Sequence, residues 1–417
     1  MTESKVKLSR RNFLGTTTVG VAGAMLDAST RSALGAVQGA NARINVGVIG
    51  VGARALELIR QLVTLEAAKI TAMCEIFEPN LSKGIKLVGS QPKPFTDYRK
   101  LLDDKDVNAV VIATPLHLHA EMMTAALDAG KHVFVEKTMA YSVKQCDHMV
   151  RAAKEHPSLV VQVGLQRHYS PTVRRAAELC RTGALGKITH IQCYWHRNAS
   201  WRRPVPTSNF DPRPWGYPDL EHLINWRMYK RYSQGLMAEL GSHMMEIVNL
   251  IYGSMPVAVT GFGGIDYWKD GRETYDNVVV IYTFPGGRKA TFSSITTNAR
   301  HGEQLQILGT EASMDLGWNQ ATLFREKETP ELIKTGNQTV ITAMGETMKM
   351  AKSDQKGAKV EAGTKGKVDP TYLALASFLS SIRDGKKPEV DVQVGREAAA
   401  TILLANEAME EGRVVKF

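Results

Sequence analysis

The chain has 417 residues, of which 43% are hydrophobic and 23% charged, a balance typical of a soluble globular protein long enough for two domains. The formal net charge of +10 is spread along the chain, and no compact run of Lys and Arg interleaved with aromatic residues indicates a nucleic-acid surface. The four cysteines form no CxxC pair and no Cys/His cluster with zinc spacing, so we predict no disulfide framework and no metal site. No apolar window of about 18 residues follows the N-terminal segment, so no membrane span is predicted.

The first element is an N-terminal segment, residues 1–42, that resembles a twin-arginine export signal. The stretch "SRRNFL" (9–14) is similar to the signal consensus, residues 13–26 are weakly apolar, and "ANA" (40–42) offers a cleavage site. The alternative is a disordered basic terminus. With the signal, we expect export to the periplasm or beyond through the twin-arginine machinery. Because that route carries folded proteins, a cofactor can be loaded before export.

A dinucleotide-binding turn is predicted directly after the first apolar strand, residues 44–49. A G-x-G-x-x-A sequence begins at Gly50 and leads into a stretch with helical periodicity. Gly50 permits the tight turn, Gly52 lets the backbone approach a pyrophosphate, and the helix N-terminus offers N–H groups to the phosphates. We assign cofactor contacts in this turn to Gly50, Val51, Gly52, Ala53 and Arg54.

The next strand ends in a carboxylate that predicts NAD rather than NADP. Glu75 lies 25 residues beyond Gly50, near the usual spacing for an acid that binds the ribose hydroxyls. A carboxylate in this place would repel the 2′-phosphate of NADP. Glu78 is an alternative for the role, and an acid that only starts a helix is another.

Further strands alternate with helices up to residue 165. This alternation predicts a Rossmann-type, doubly wound parallel sheet in an NAD-binding domain over residues 43–165. Ligands of such sheets bind beyond the carboxyl ends of the strands. Residues at or just after these ends are therefore assigned to the cofactor: Thr114, Pro115, His119, Glu136, Lys137 and Gln166.

The stretch "VFVEKT" (133–138) carries a resemblance to a known family. With the G-x-G turn before it, the chain resembles the Gfo/Idh/MocA family, which includes glucose-fructose oxidoreductases and inositol dehydrogenases. Members typically have Glu-Lys-Pro where this chain has Glu-Lys-Thr. The resemblance covers residues 43–317 and the closing helices. It implies a C-terminal α+β domain with a large, open, mostly antiparallel sheet, one face over the active site and the other commonly joining a homodimer or homotetramer.

The second family signature is an acid followed four positions later by the catalytic histidine. Here these residues are Glu239 and His243, with Glu where Asp is usual. Their stretch looks helical, so the two side chains would share a face one turn apart. We expect Glu239 to hold the imidazole tautomer while the other ring nitrogen faces a sugar hydroxyl. Lys137 would stabilise negative charge on that oxygen.

From about residue 186 the pattern becomes rich in strands, and residues 166–417 are predicted to form the substrate domain, with closing helices over 369–412. Residues 197–234 are dense in Trp, Arg, Tyr and Pro, which is typical of a long functional loop. The polar residues 325–368 are interpreted as an insertion or lid. Substrate contacts are assigned to His243 and to Arg167, His168, Tyr169, Trp226, Arg227 and Tyr229. The aromatic residues of the loop could equally serve only to pack it.

These features indicate an exported NAD-dependent oxidoreductase that acts on a small-molecule carbohydrate. Because free NAD is scarce outside the cytoplasm, we expect a tightly bound, non-dissociable cofactor that is recycled within the catalytic cycle. One alternative is a redox-neutral NAD-dependent glycosidase that works through a keto-sugar. A second is a non-catalytic nucleotide-binding protein, in which Lys137, Glu239 and His243 would have no purpose.

Overall fold

The computed structural model describes residues 43–326, 357–361 and 368–417. The predicted export segment lies outside these residues, and so does most of the stretch interpreted as an insertion or lid. Within the described ranges the chain forms two sheets with helices packed on them, around one continuous hydrophobic core. No helix of these ranges is long and apolar enough to cross a membrane. The four cysteines are free and buried.

The N-terminal domain contains a six-stranded parallel sheet with the order β3-β2-β1-β4-β5-β6. Its strands are β1 (Ile44–Ile49), β2 (Ala68–Cys74), β3 (Lys93–Phe95), β4 (Ala109–Ile112), β5 (His132–Glu136) and β6 (Val161–Gly164). The helices are α1 (Ala53–Leu62), α2 (Glu78–Val88), α3 (Tyr98–Leu102), α4 (His119–Asp128) and α5 (Val143–Glu155). The strand order reverses between β1 and β4, which opens a crevice at the carboxyl ends of the strands. This topology confirms the predicted doubly wound sheet.

The C-terminal domain is built on a nine-stranded sheet with the order β14-β13-β12-β11-β7-β10-β9-β8-β15. Its strands are β7 (Ile188–His196), β8 (Ala258–Gly264), β9 (Asn277–Thr283), β10 (Lys289–Ile295), β11 (Glu303–Gly309), β12 (Ala312–Leu316), β13 (Ala321–Arg325), β14 (Ala358–Lys359) and β15 (Val415–Lys416). Strands β7 and β10 pair in parallel, and the other neighbours pair antiparallel. The helices are α6 (Pro171–Arg181), α7 (Leu220–Ile224), α8 (Ser242–Tyr252), α9 (Pro370–Asp384) and α10 (Val392–Glu411). The predicted large, mostly antiparallel sheet is confirmed.

The two faces of this second sheet differ in burial. Helices α8 and α10 pack on the inner face, where Val280 and Tyr282 of β9 are buried. On the outer face Val279 is 50% exposed and Phe262 of β8 is 82% exposed. This alternation is that of an antiparallel sheet with one face on the core. The expectation that the outer face joins subunits stays a prediction.

The closing helices return to the N-terminal domain. The side-chain amide of Gln162 in β6 donates to the carbonyl of Ala374 in α9 at 2.7 Å, and the N–H of Val163 donates to Val390 at 3.0 Å. A Cβ at Gly395 of α10 would lie 2.4 Å from Cγ2 of Val163, so glycine permits this close packing. Helices from the C-terminal part of the chain therefore complete the cover of the first sheet.

Candidate active site

The G-x-G turn presents an open helix end at the crevice. Gly50 has a φ of +81°, and a Cβ there would lie 2.8 Å from Cγ2 of Thr114, so the turn requires glycine. A Cβ at Gly52 would meet no atom within 4 Å. No side chain of the described residues caps α1, whereas Ser142 caps α5 by accepting from the N–H of Gln145. The first N–H groups of α1 are thus available to a phosphate.

Glu75 is fixed at the end of β2 by two backbone groups. Its carboxylate accepts from the N–H of Val51 at 2.8 Å and from the N–H of Phe77 at 2.9 Å. Burial raises the pKa of Glu75, and these two hydrogen bonds oppose the rise. The N–H of Val51 is engaged by Glu75 and its side chain is buried, so its cofactor contact stays a prediction. Glu78, the alternative acid, accepts from the hydroxyl of Ser82 and does not line the cavity.

A cavity of about 940 Å³ follows the carboxyl ends of β1, β2, β4 and β5. Its wall contains most of the predicted cofactor and catalytic residues: Gly50, Gly52, Ala53, Arg54, Glu75, Thr114, Pro115, His119, Glu136, Lys137, Trp226, Arg227 and Glu239. Two of them keep a buried side-chain atom that has no hydrogen-bond partner within the described ranges, Nη2 of Arg54 and Oγ1 of Thr114. An elongated cavity with unused polar groups beside an open helix end fits a dinucleotide.

The centre of the site is a cluster of three charged side chains. Nζ of Lys137 donates to the backbone carbonyl of Glu239 at 3.0 Å and lies 3.7 Å from Oε2 of its carboxylate. Nε of Arg227 donates to the same Oε2 at 2.9 Å. Burial alone would raise the pKa of Glu239, but Arg227 and Lys137 outweigh it and lower the pKa to about 2. Burial lowers the pKa of Lys137, and Glu239 opposes that change by stabilising the ammonium form.

The backbone of Glu239 belongs to a π-helical turn, Met237–Gly241, that runs directly into α8. Within this turn the carbonyl of Ala238 accepts from Oγ1 of Thr138 at 2.9 Å and from Oγ of Ser242 at 2.6 Å. The Lys137–Thr138 peptide bond, where Glu-Lys-Pro would place a proline, is cis. π-helical turns are frequent at functional sites. Here the π-helical turn ties the start of α8 to the loop after β5.

His243 lies at the start of α8, with its ring packed on that of Trp195 at 5.5 Å between centroids. Nδ1 of His243 is buried and has no hydrogen-bond partner among the described residues. The prediction that Glu239 holds this imidazole is wrong. The Glu239 carboxylate pairs with Arg227 and Lys137 instead. In addition, a π-helical turn does not place residues four apart above one another as an α-helix does. Burial, with a smaller effect of Lys137, lowers the pKa of His243 well below 6.5, so the ring is neutral at neutral pH.

Two predicted cofactor residues hold the strand-end loops together. Nδ1 of His119 lies 2.9 Å from the carbonyl oxygen of Thr138, and its Nε2 lies 3.0 Å from that of Thr114. Both ring nitrogens of this buried histidine therefore face backbone oxygens. Glu136 accepts from Nε of Arg54 at 2.8 Å, which links β5 to the first turn of α1. Both side chains line the cavity, but their hydrogen bonds go to the protein.

The residues after β6 are not brought into this cavity. Arg167 is buried and pairs with Glu303 of β11. Nδ1 of His168 lies 2.6 Å from Oε1 of Glu246, and Tyr169 is buried. Polar groups of Arg167 and His168 are engaged within the protein, and the substrate contacts of these three residues stay predictions.

The remaining predicted residues have mixed positions. Gln166, assigned to the cofactor, is buried and does not line the cavity, and its Oε1 has no partner in the described part of the chain. Tyr229 is buried in a small cluster with Tyr217 and Tyr232 and does not line the 940 Å³ cavity, and its substrate contact stays a prediction. His243 does not line the 940 Å³ cavity either. Its predicted catalytic role stays a prediction.

Residues 197–234, called the strap here, cover part of the cavity beyond the ends of β2 and β4. The ring of Phe210 packs against Phe77, just after β2, at 5.6 Å and against Trp215 at 5.3 Å. Farther along, Tyr217 packs against His117, which follows β4, at 6.1 Å. The strap therefore contacts the N-terminal domain beyond the ends of two neighbouring strands.

Sequence reasoning missed Arg203, which lines the cavity from the strap. The many arginines of this stretch were the available signal. Arginine content alone, however, does not show which of two adjacent arginines lines a cavity. The adjacent Arg202 pairs with Glu221 and Asp270 and so serves the packing of the strap. These partners lie 19 and 68 residues away in the sequence, so only the fold separates the two roles.

Comparisons with known proteins match both domains. Residues 44–165 match the oxidoreductase family with an NAD-binding Rossmann fold, and residues 173–315 match the GFO/IDH/MocA C-terminal domain. The chain is 27% identical to 2,7-anhydro-N-acetylneuraminate hydratase of Escherichia coli (strain K12) over 386 residues, 88% of this chain and 94% of that protein.

Solved structures share the fold. A levoglucosan dehydrogenase in complex with NADH and levoglucosan has a TM-score of 0.70 and 19% identity, covering 90% of this chain and 99% of that one. An aldose-aldose oxidoreductase from Caulobacter crescentus has a TM-score of 0.68 and 20% identity, covering 90% and 100%. At such identities the likeness shows the architecture alone.

Proposed function

Because the chain belongs to the Gfo/Idh/MocA family of NAD-binding oxidoreductases, we propose that it oxidises a sugar or sugar derivative with NAD that stays bound through the catalytic cycle. The observation that carries this proposal is the Lys137–Glu239–Arg227 cluster beside the open end of α1. It places an ammonium group in the wall of a cavity that also fits a dinucleotide. We propose further that residues 1–42 direct export of the folded, cofactor-loaded protein.

The residues of the first domain support NAD as the cofactor. Gly52 and the first N–H groups of α1 would receive the pyrophosphate. Glu75 would face the ribose hydroxyls, and its two backbone hydrogen bonds hold it in place. Bound there, NAD supplies the hydride acceptor.

Two side chains of the protein, His243 and Lys137, act on the hydroxyl group of the sugar. Oxidation of a secondary alcohol removes a hydride from carbon and a proton from the hydroxyl group. Burial lowers the pKa of His243 and keeps its ring unprotonated, which is the form that can accept this proton. The Lys137 ammonium, held by Glu239, can stabilise negative charge on the sugar oxygen as the proton leaves. When the hydride is returned, the same groups act in the reverse direction.

The strap supports retention of the cofactor. The contact of Phe210 with Phe77 lies at the strand end where the adenosine half of a dinucleotide binds. Pro204, Pro206 and Trp215 of the strap line the same cavity as the G-x-G turn. A strap packed over the bound cofactor would slow its release. Retained NAD would in turn let the enzyme work where free NAD is scarce.

A redox-neutral reaction is the second candidate, and the likeness to a hydratase favours it. A ketone formed at C3 of the sugar acidifies the hydrogen at C2. Removal of that proton expels the group at C1, water then adds to the resulting double bond, and the hydride returns to C3. Hydride and protons balance over the cycle, so no second redox substrate is needed. This route also requires retained NAD.

Both candidates are tested by turnover of dialysed enzyme without added NAD. Substrates are single sugars, pairs of a sugar and a keto-sugar, and aryl glycosides. Many turnovers per enzyme without NADH in solution would support retained cofactor, and release of the aryl group would favour the redox-neutral cleavage. A reaction that requires stoichiometric NAD and releases NADH would contradict retention.

A further inference from the structure

Three cations of the active-site region lie near the carboxylate of Glu239: Arg227, Lys137 and Arg203. The Glu239 carboxylate forms salt bridges with Arg227 and Lys137, at 2.9 and 3.7 Å. Glu303 forms a salt bridge with Arg167. Glu246 is a further acid near Arg167, and Glu136 is a further acid near Lys137. An arginine in a cavity wall that forms no salt bridge keeps its N–H donors free for a ligand.

Arg203 lines the cavity from the exposed strap and forms no salt bridge within the described ranges, while Glu239 lies near enough to favour its charged form. Its backbone is held rigidly by the buried side chain of Asn225, which accepts from the N–H of Arg203 at 2.7 Å and donates to its carbonyl at 2.9 Å. Asn225 also donates to Glu221 at 2.9 Å. The neighbouring Arg202 forms salt bridges with Glu221 and Asp270. The strap thus fixes the backbone of Arg203 while its guanidinium stays available.

Arg197 is a second guanidinium without a salt bridge in the described part of the chain. It lies over the ring of Trp195 at 5.5 Å and over that of Trp201 at 5.1 Å. The same Trp195 ring packs against His243. Glu303 and Glu239 favour the charged form of Arg197 without a salt bridge to it. Guanidinium groups that form no salt bridge in the described part of the chain therefore lie both beside the Lys137–Glu239–Arg227 cluster and beside the expected base.

We propose that the substrate is an anionic sugar, one that carries a carboxylate, and that Arg203 binds this group. The inference deepens the proposed function and rests on it. A planar guanidinium binds a carboxylate through two parallel hydrogen bonds. The phosphates of the cofactor have a separate site at the start of α1, so they do not require Arg203. Arg197 adds a second positive charge near the same reaction centre.

The test uses the purified holoenzyme and matched pairs of neutral and carboxylated sugars. The pairs are methyl glucosides with methyl glucuronides, and methyl galactosides with methyl galacturonides; 2,7-anhydro-N-acetylneuraminate and levoglucosan extend the comparison. Reduction of the bound cofactor is followed optically. We expect preference for a carboxylated sugar, and Arg203→Gln should raise its KM by about tenfold or more while kcat changes less. Arg203→Lys should keep part of the affinity.

Arg213→Gln is the matched control, because Arg213 lies on the same strap, is exposed and, within the described ranges, forms its salt bridge with the nearby Asp211. It should leave the KM unchanged. Consistent preference for neutral sugars, or an Arg203→Gln variant with an unchanged KM for the acid, would overturn the inference. Loss of bound NAD from Arg203→Gln with an unchanged KM would assign Arg203 to a cofactor phosphate and would also overturn it.

Failure of the proposed function has a different signature, since no sugar of either kind would then reduce the cofactor. Calorimetric titration with D-glucuronate and N-acetylneuraminate decides the charge inference in that case. Binding of either acid that is weaker in Arg203→Gln than in Arg213→Gln would support an anion site. Equal binding in the two variants, or none, would overturn it.

Discussion

The Nζ atom of Lys137 lies 3.0 Å from the backbone oxygen of Glu239 and 3.7 Å from its carboxylate oxygen Oε2. One residue therefore holds the ammonium group through both its main chain and its side chain. Arg227 shares the carboxylate, so Glu239 compensates two cations and stays ionised. In this arrangement the acid of the signature acts on the lysine, and His243 has no carboxylate partner among the residues that the structure describes.

Removal of either reacting group should abolish most activity. Lys137→Ala and His243→Ala should each lower kcat by about 10² or more, because one loses charge stabilisation and the other loses the base. Steady-state kinetics check this, and the NAD content of each variant is the control, which should match that of the wild type. Near-normal turnover in one variant would remove that residue from the mechanism.

Both the acidic and the alkaline limb of the kcat profile should lie at lower pH than the ordinary pKa values of histidine and lysine would give. Burial lowers the pKa of His243 well below 6.5, so the neutral base persists as the pH falls and is lost only below the ordinary histidine range. Burial also lowers the pKa of Lys137 from 10.5, so the ammonium form is lost earlier as the pH rises. A kcat profile with its acidic limb above pH 6.5 would contradict the proposed base.

The Glu239→Gln variant tests whether Glu239 acts on Lys137 or on His243. The Glu239 carboxylate opposes the fall of the Lys137 pKa, so its loss should move the alkaline limb of kcat to lower pH. The acidic limb should move less, because no hydrogen bond joins Glu239 to His243 among the described residues. If the acidic limb moves and the alkaline limb stays, Glu239 acts on the histidine after all.

The first domain could be predicted from the sequence because its signals are local. The turn at Gly50 follows an apolar strand and precedes a helix, and each step is visible within a few residues. The partner of Glu239 could not be predicted, because a π-helical turn has no recognised sequence pattern and both cations arrive from other elements. The role of Arg167 was hidden for a similar reason, since Glu303 lies 136 residues away.

The cofactor preference should depend on Glu75 and not on Glu78. Glu75→Gln should lower the preference for NAD over NADP, because the charge that repels the 2′-phosphate is lost. Glu78→Gln is the matched control, since this acid is exposed and does not line the cavity. Titration of apo-protein with both dinucleotides gives the ratio of dissociation constants. A ratio that responds to Glu78→Gln and is unchanged in Glu75→Gln would transfer the role to Glu78.

The strap should govern how long NAD stays bound. Phe210→Ala removes the ring that packs on Phe77 and Trp215, so NAD should be lost during dialysis at least about tenfold faster. Val205→Ala, at a residue 39% exposed on the same strap, is the control and should retain NAD like the wild type. NAD in the dialysed protein is measured after denaturation. Equal retention by the two variants would mean that another element holds the cofactor.

The last prediction concerns the link between export and the bound cofactor. Replacing Arg10 and Arg11 together by lysine should leave the protein in the cytoplasm, because the adjacent arginines are the part of the segment that resembles the export signal. A folded protein that crosses with its cofactor should also arrive with NAD bound. The measurement is the NAD content of wild-type protein recovered from the periplasm and of the double variant recovered from the cytoplasm.

We expect similar NAD content in the two fractions, and activity in both without added cofactor. This follows because the strap and the open end of α1 belong to the folded protein and would hold NAD in either compartment. Periplasmic protein that lacks NAD and depends on added cofactor would contradict retention during export. Normal export of the double-lysine variant would instead contradict the signal and leave the retained cofactor to be judged by the dialysis experiment. The two halves of the proposal therefore fail separately.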